Sequence, residues 1–223
     1  MAKSEKSLWG KLQAAVKSIS LAESPVRDGS ARQNQPIIII VSGLPRSGTS
    51  LMMQMLEAGG LSPLTDEIRT ADSDNPQGYY EFERVKKLDK GDTAWLAEAQ
   101  GKAVKVISML LPHLPPDYAY HIIFMQRRLE ETLASQKQML TRRDKPTDAV
   151  SDEEMKMLFE KHLNQVEAWL AAQPNLTILY VDYNELLTAP AEQIQQINRF
   201  LGGRLDEEKM IGVINPKLYR QRA

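Results

Sequence analysis

The 223-residue chain contains no cysteine and only three histidines, His113, His121 and His162. The first absence removes disulfides, thiolate metal sites and cysteine nucleophiles together. No histidine has a partner at metal-ligand spacing, so no metal site is expected. Net charge is only −1, which provides no global basic field for nucleic acid; any anion site must be local. The first twenty residues, MAKSEKSLWGKLQAAVKSIS, have no uninterrupted apolar core and read as neither a signal peptide nor a membrane span. Hydrophobic content of 42% and charged content of 26% are those of an ordinary globular α/β domain with a sizeable core.

Present instead is an unusual run after Pro36. Ile37–Val41 is β-branched throughout, as in a parallel strand covered on both faces. Gly43 and Gly48 then bracket a tight turn, and Thr49 and Ser50 open a helix with Leu51, Met52, Met55 and Leu56 on its apolar side. Such a turn aims backbone N–H groups and a positive helix end at one spot, an anion site. The Gly43-x4-Gly48 spacing matches the nucleotide-triphosphate P-loop, but threonine stands at position 49 where that loop has lysine. A cation appears elsewhere in the turn, at Arg46. The loop is therefore read as made for a phosphate-like anion other than a triphosphate.

Beyond it, residues 59–78 form a long irregular stretch, the kind that serves as a binding loop. A helix is expected over Phe82–Gln100 with Val85, Leu88, Trp95 and Leu96 inward. Strands are expected at Ala103–Ile107, His121–Met125 and Thr177–Val181, with helices at Glu130–Leu140, from the Ser151/Glu154 capping box to Ala172, and a final one at Glu192–Leu201 ended by Gly202 and Gly203. The alternation predicts a three-layer α/β/α fold, P-loop-like, around a mainly parallel sheet. Residues 1–35 are expected to be an amphipathic helix (Leu8, Leu12, Ala15, Val16 and Ile19 on one side) and a linker, and 36–223 the domain.

SGLPRSGTSLM resembles the 5′-phosphosulfate loop of sulfotransferases that use 3′-phosphoadenosine 5′-phosphosulfate (PAPS), most closely the tyrosylprotein and bacterial branches. The segment MQRRLEETLASQ is similar to a second family motif, an arginine at a strand end and a serine eight residues on. The resemblance implies a nucleotide site of Pro45, Arg46, Ser47, Gly48, Thr49 and Ser50 at the 5′ end, with Arg127 and Ser135 on the 3′-phosphate. An arginine fork and a neighbouring hydroxyl suit that anion. The bland alternative makes Arg127 a surface ion-pair partner of Glu130 or Glu131. In YVDYNELLTAP, which resembles a further family stretch, Tyr183 is either near the adenine or a core tyrosine. INPKLYRQRA places Lys217, Arg220 and Arg222 where cytosolic members have a basic segment.

For the chemistry, the resemblance gives the leaving-group role to Arg46 and Lys105. KVISMLLPHLP is similar to a cytosolic sulfotransferase pattern whose histidine position is here Ile107, so another base is required. Glu67, in a Glu67-Ile68-Arg69 segment like that of tyrosylprotein sulfotransferases, is the first candidate, and Glu81 in DNPQGYYE the second. The expected activity is transfer of a sulfuryl group from PAPS, leaving 3′,5′-ADP, to a hydroxyl or amine of a small-molecule, glycan or peptide acceptor, without metal or nucleic acid. Secretory-pathway members normally carry a membrane anchor; none is read here, so a cytoplasmic location is expected. The alternatives are a non-catalytic PAPS-binding module and a degenerate P-loop kinase, the latter with Asp182 as the sole clear strand-borne aspartate for magnesium.

Overall fold

The structure, a computed structural model, describes residues 36–66, 78–142 and 151–214. Four strands, β1 (Ile38–Gly43), β2 (Ala103–Lys105), β3 (Tyr120–Gln126) and β4 (Leu176–Asp182), form one sheet in the order β2-β1-β3-β4. Every pairing is parallel. The β-branched run behaves as its composition dictates, since all six residues of β1 are buried. Alternate side chains leave opposite faces. Ile38 and Ile40 join Val104, Ile122, Phe124, Val166 and Leu170 on one side; Ile39 and Val41 join Met52, Met55, Ile123, Ile194 and Met210 on the other.

The helices that supply those partners make the outer layers. α1 (Thr49–Ala58), α5 (Pro190–Phe200) and α6 (Glu207–Gly212) cover one face. α3 (Asp152–Ala171) covers the other, together with two 3₁₀ helices, Glu83–Lys90 and Ala94–Ala97. α2 (Leu129–Arg142) follows β3, and the short α4 (Tyr183–Thr188) follows β4. The expected three-layer α/β/α architecture is observed.

Three expectations change. The single helix over Phe82–Gln100 is two 3₁₀ segments, because Gly91 turns the chain with φ of 82°. Its apolar side was read correctly, since Val85, Leu88, Trp95 and Leu96 are all buried. β2 stops at Lys105: Val106 N–H still donates to the Val41 carbonyl, but the chain then enters a further 3₁₀ helix at Ser108–His113. The helix ending near Gly202 is not the last, since α6 follows it. The reading of residues 1–35 as a helix and linker lies outside the described residues.

Register fixes where function can sit. Val41 lies beside Lys105, Gly43 beside Met125, and Gln126 beside Asp182. The glycine loop, Lys105, Arg127 and Tyr183 therefore all leave the sheet at its carboxyl end, where open parallel sheets bind ligands.

Candidate active site

The loop after β1 is held by its own backbone. Ser47 N–H donates to the Leu44 carbonyl at 3.2 Å, and Met52 N–H to the Gly48 carbonyl at 3.1 Å. Gly48, at φ 102°, is the N-cap of α1 and provides no side-chain cap, so the first-turn N–H groups look outward. There is no room for any other residue. A Cβ on Gly48 would lie 2.3 Å from the Tyr183 ring, and one on Gly43 would lie 2.6 Å from the Met125 carbonyl. Arg46 adopts φ of 73°, a left-handed conformation that is costly for a side-chain-bearing residue and persists where surroundings enforce it.

Those surroundings are the second sequence motif. Arg46 Nε donates to Ser135 Oγ at 3.0 Å, across 89 residues of chain. Arg127 Nη1 donates to the Arg46 carbonyl at 3.1 Å, across 81 residues. The two motifs thus form one site. Arg127 does pair with Glu131, through Nε at 3.0 Å, yet this is no surface bridge: the two side chains are 7% and 0% exposed. Its guanidinium also lies 4.7 Å from the centre of the Tyr183 ring. Tyr183, buried against Gly48 and Arg127, is a wall of the site. Arg128 is exposed and lies 3.9 Å from Glu131.

Lys105, at the end of β2, turns to the same corner. Its ammonium donates to Ser50 Oγ at 3.3 Å and to the Tyr79 carbonyl. The lysine thereby joins the first turn of α1 to the chain returning from the long irregular stretch. The stems of that stretch are clamped together: Thr65 Oγ1 donates to the Glu81 carbonyl at 3.0 Å, and Glu83 N–H to Asp66 Oδ2 at 2.6 Å. The Glu81 carboxylate, 17% exposed, lies 3.1 Å from Lys86 Nζ. Glu67 and Arg69 lie outside the described residues, as do Lys217, Arg220 and Arg222.

Asp182, the strand-borne aspartate of the kinase alternative, caps a helix. Its Oδ1 accepts the N–H groups of Asn184 (2.7 Å) and Glu185 (2.9 Å), capping α4. Asp66, Tyr79 and Asn184 are contributors that motif reading passed over, and Glu131 was named only as a surface ion-pair partner of Arg127. Only Glu131 carried a signal, its i+4 spacing from Arg127. Among the described residues, no group of His, Asp and Glu is placed to hold a metal, and no helix is long and apolar enough to cross a membrane.

The chain matches the sulfotransferase domain family over residues 36–216. It belongs to the sulfotransferase family. Among solved structures, it resembles the sulfotransferase domain from the curacin biosynthetic pathway at 15% identity and TM-score 0.50, over 82% of this chain and 79% of that one. A mouse sulfotransferase complexed with PAP aligns at 13% identity over 95% of this chain and 72% of that one, with TM-score 0.47. A sulfotransferase from Alicyclobacillus acidocaldarius aligns at 15% identity over 82% and 87%, with TM-score 0.44. No curated protein sequence matches.

The donor set of this sulfotransferase suits an anion of several charges. Arg46, Lys105 and Arg127 converge with the hydroxyls of Ser50 and Ser135 at an uncapped helix start. Ser47 Oγ is buried at the base of the loop with no hydrogen-bond partner among the described residues. A buried hydroxyl of that kind is costly unless something accepts or donates to it. These residues fit the phosphosulfate nucleotide that the sequence motifs imply.

Proposed function

We propose that this sulfotransferase moves the sulfuryl group of PAPS to a hydroxyl or amine of a small-molecule, glycan or peptide acceptor, and releases 3′,5′-ADP. The observation that carries the reading is the joining of the glycine loop to Arg127 and Ser135 through Arg46. Pro45 to Ser50 would hold the 5′ end of the nucleotide, and Arg127 with Ser135 its 3′-phosphate. Bound there, PAPS supplies an activated sulfuryl group whose departure leaves charge on a bridging phosphate oxygen.

The chain's own residues then have three tasks. Arg46, Lys105 and the first-turn N–H groups of α1 face the developing negative charge and offset it in a site of low dielectric. A carboxylate takes the acceptor proton; Glu67 is the first choice and Glu81 the second. Glu81 has support in its position, two residues past the Tyr79 carbonyl that Lys105 grips. Tyr183 buttresses Arg127, a role that its burial favours over stacking on adenine. The kinase reading is weakened by Asp182, whose carboxylate caps α4.

Calorimetric titration with 3′,5′-ADP, 5′-AMP and Mg-ATP tests the proposal. Magnesium-independent binding that requires the 3′-phosphate and collapses in Arg127→Ala is expected. Equal affinity for 3′,5′-ADP and 5′-AMP would overturn it. If neither Glu67→Ala nor Glu81→Ala slows sulfation while nucleotide binding persists, both base assignments fail and another base is left.

A further inference from the structure

Burying a carboxylate is expensive, and the interior restores that cost only through well-placed partners. Glu131 is such a carboxylate, with no exposed side-chain surface, in the first turn of α2. Its Oε2 accepts from Arg127 Nε at 3.0 Å, and its Oε1 accepts from Asn184 Nδ2 at 2.9 Å. Each oxygen thus meets a different element: one the end of β3, the other the start of α4. With Nε directed at Glu131 and the guanidinium face against Tyr183, Arg127 can turn only one way. That way brings Nη1 to the Arg46 carbonyl.

The Arg46 carbonyl belongs to the residue in the left-handed conformation. Nothing in an arginine favours φ of 73°, so the peptide needs an external hold. The same residue's side chain reaches Ser135. The order of dependence therefore runs from Asn184 to Glu131, to Arg127, to the Arg46 peptide, and so to the shape of the anion loop.

We propose that Glu131, oriented by Asn184, is a positioning residue for nucleotide binding: it aims Arg127 so that one guanidinium both fixes the Arg46 peptide and faces the 3′-phosphate. The inference rests on the PAPS reading above. It separates from a simpler role, in which Glu131 only balances the charge of Arg127. Removing a balancing charge leaves a fuller cation and tightens phosphate binding; removing an aiming group loosens it.

The experiment is calorimetric titration of the whole chain, wild type and Glu131→Gln, with 3′,5′-ADP and with 5′-AMP. Glutamine keeps the size of glutamate and one acceptor while removing the charge. Positioning predicts that 3′,5′-ADP affinity falls by roughly tenfold to a hundredfold, the worth of a charge-assisted hydrogen bond. The loss for 5′-AMP is smaller, because only the first ligand also calls on Arg127 through a 3′-phosphate. Asn184→Ala, which leaves the ion pair in place, gives a smaller loss in the same direction, and the double variant loses no more than Glu131→Gln. That second variant decides the matter if Glu131→Gln does not fold. Glu130→Gln, at an exposed neighbour paired with Lys156, is the control and leaves both affinities unchanged.

Unchanged or tighter 3′,5′-ADP binding in Glu131→Gln overturns the proposal, as does an equal loss for the two nucleotides. A wild type without preference for 3′,5′-ADP sinks the PAPS reading instead, so the two failures are told apart.

Discussion

At the scale of single residues, the site depends on a glycine that has no substitute. Gly48 combines φ of 102° with a position where a Cβ would meet the Tyr183 ring at 2.3 Å. Gly48→Ala must shift either the loop or Tyr183, and Tyr183 supports Arg127. The expected cost is about 2–4 kcal/mol of stability, together with loss of nucleotide binding. Denaturant unfolding and the same titration check this; a variant matching wild type in both would mean the loop adapts freely. Gly48 was singled out by its spacing from Gly43, and Arg46 by its charge within that turn and by the family resemblance. The ring that makes Gly48 irreplaceable was not, since Tyr183 lies 135 positions further along the chain.

Among the elements, α1 and α3 start in opposite ways, and each start matches its use. Ser151 Oγ accepts the Glu154 N–H at 3.1 Å, and Glu154 Oε2 accepts the Ser151 N–H at 3.2 Å, closing α3 with a capping box. Ser151→Ala is expected to cost about 1 kcal/mol in chemical denaturation with nucleotide affinity unaltered. A shift in nucleotide affinity would show that α3 is coupled to the loop. α1 has no side-chain cap, which leaves its first N–H groups open to the anion proposed above. Caps, the isoleucine strand and the helix after it were readable because each depends on neighbours within four residues. The region 83–97 was misread because its apolar spacing suits both one α-helix and two 3₁₀ turns. Gly91 and the Arg84 bridge to Asp92, with its contacts at 2.5 and 3.1 Å, select the second.

For the molecule as a whole, His162 links folding to pH. It is fully buried between α3 and the 3₁₀ helix at Ser108–His113, with Nε2 at 2.9 Å from Ser108 Oγ. Burial pushes its pKa down from 6.5 to about 4. The folded chain therefore binds this proton less readily than the unfolded chain. The stability is fully present above pH 6.5 and is lost as pH falls toward 4. Between pH 7 and 5 the loss amounts to about 2 kcal/mol. Melting temperatures at those two pH values should separate more in wild type than in His162→Gln, which retains a partner for Ser108. Equal separations would remove His162 from the account. Half-buried His121, its pKa also lowered by burial, adds to the wild-type slope in the same direction.

Taken by itself, the sequence determined the isoleucine strand, the glycine turn, the Ser151/Glu154 capping box and the α/β alternation. All of these follow from backbone preference and side-chain periodicity over a few residues. It also placed Arg46, Lys105, Arg127 and Ser135 as site candidates, each by a local motif. Only the tertiary structure decided how they are joined. Parallel register sets Lys105 beside Val41 and the end of β3 beside the loop. From that follow the contacts of Arg46 with Ser135, of Arg127 with the Arg46 peptide, and of Glu131 with Asn184. These partners lie 53 to 89 positions apart. No local propensity specifies such pairs; the packing of strands and the burial of charge select them.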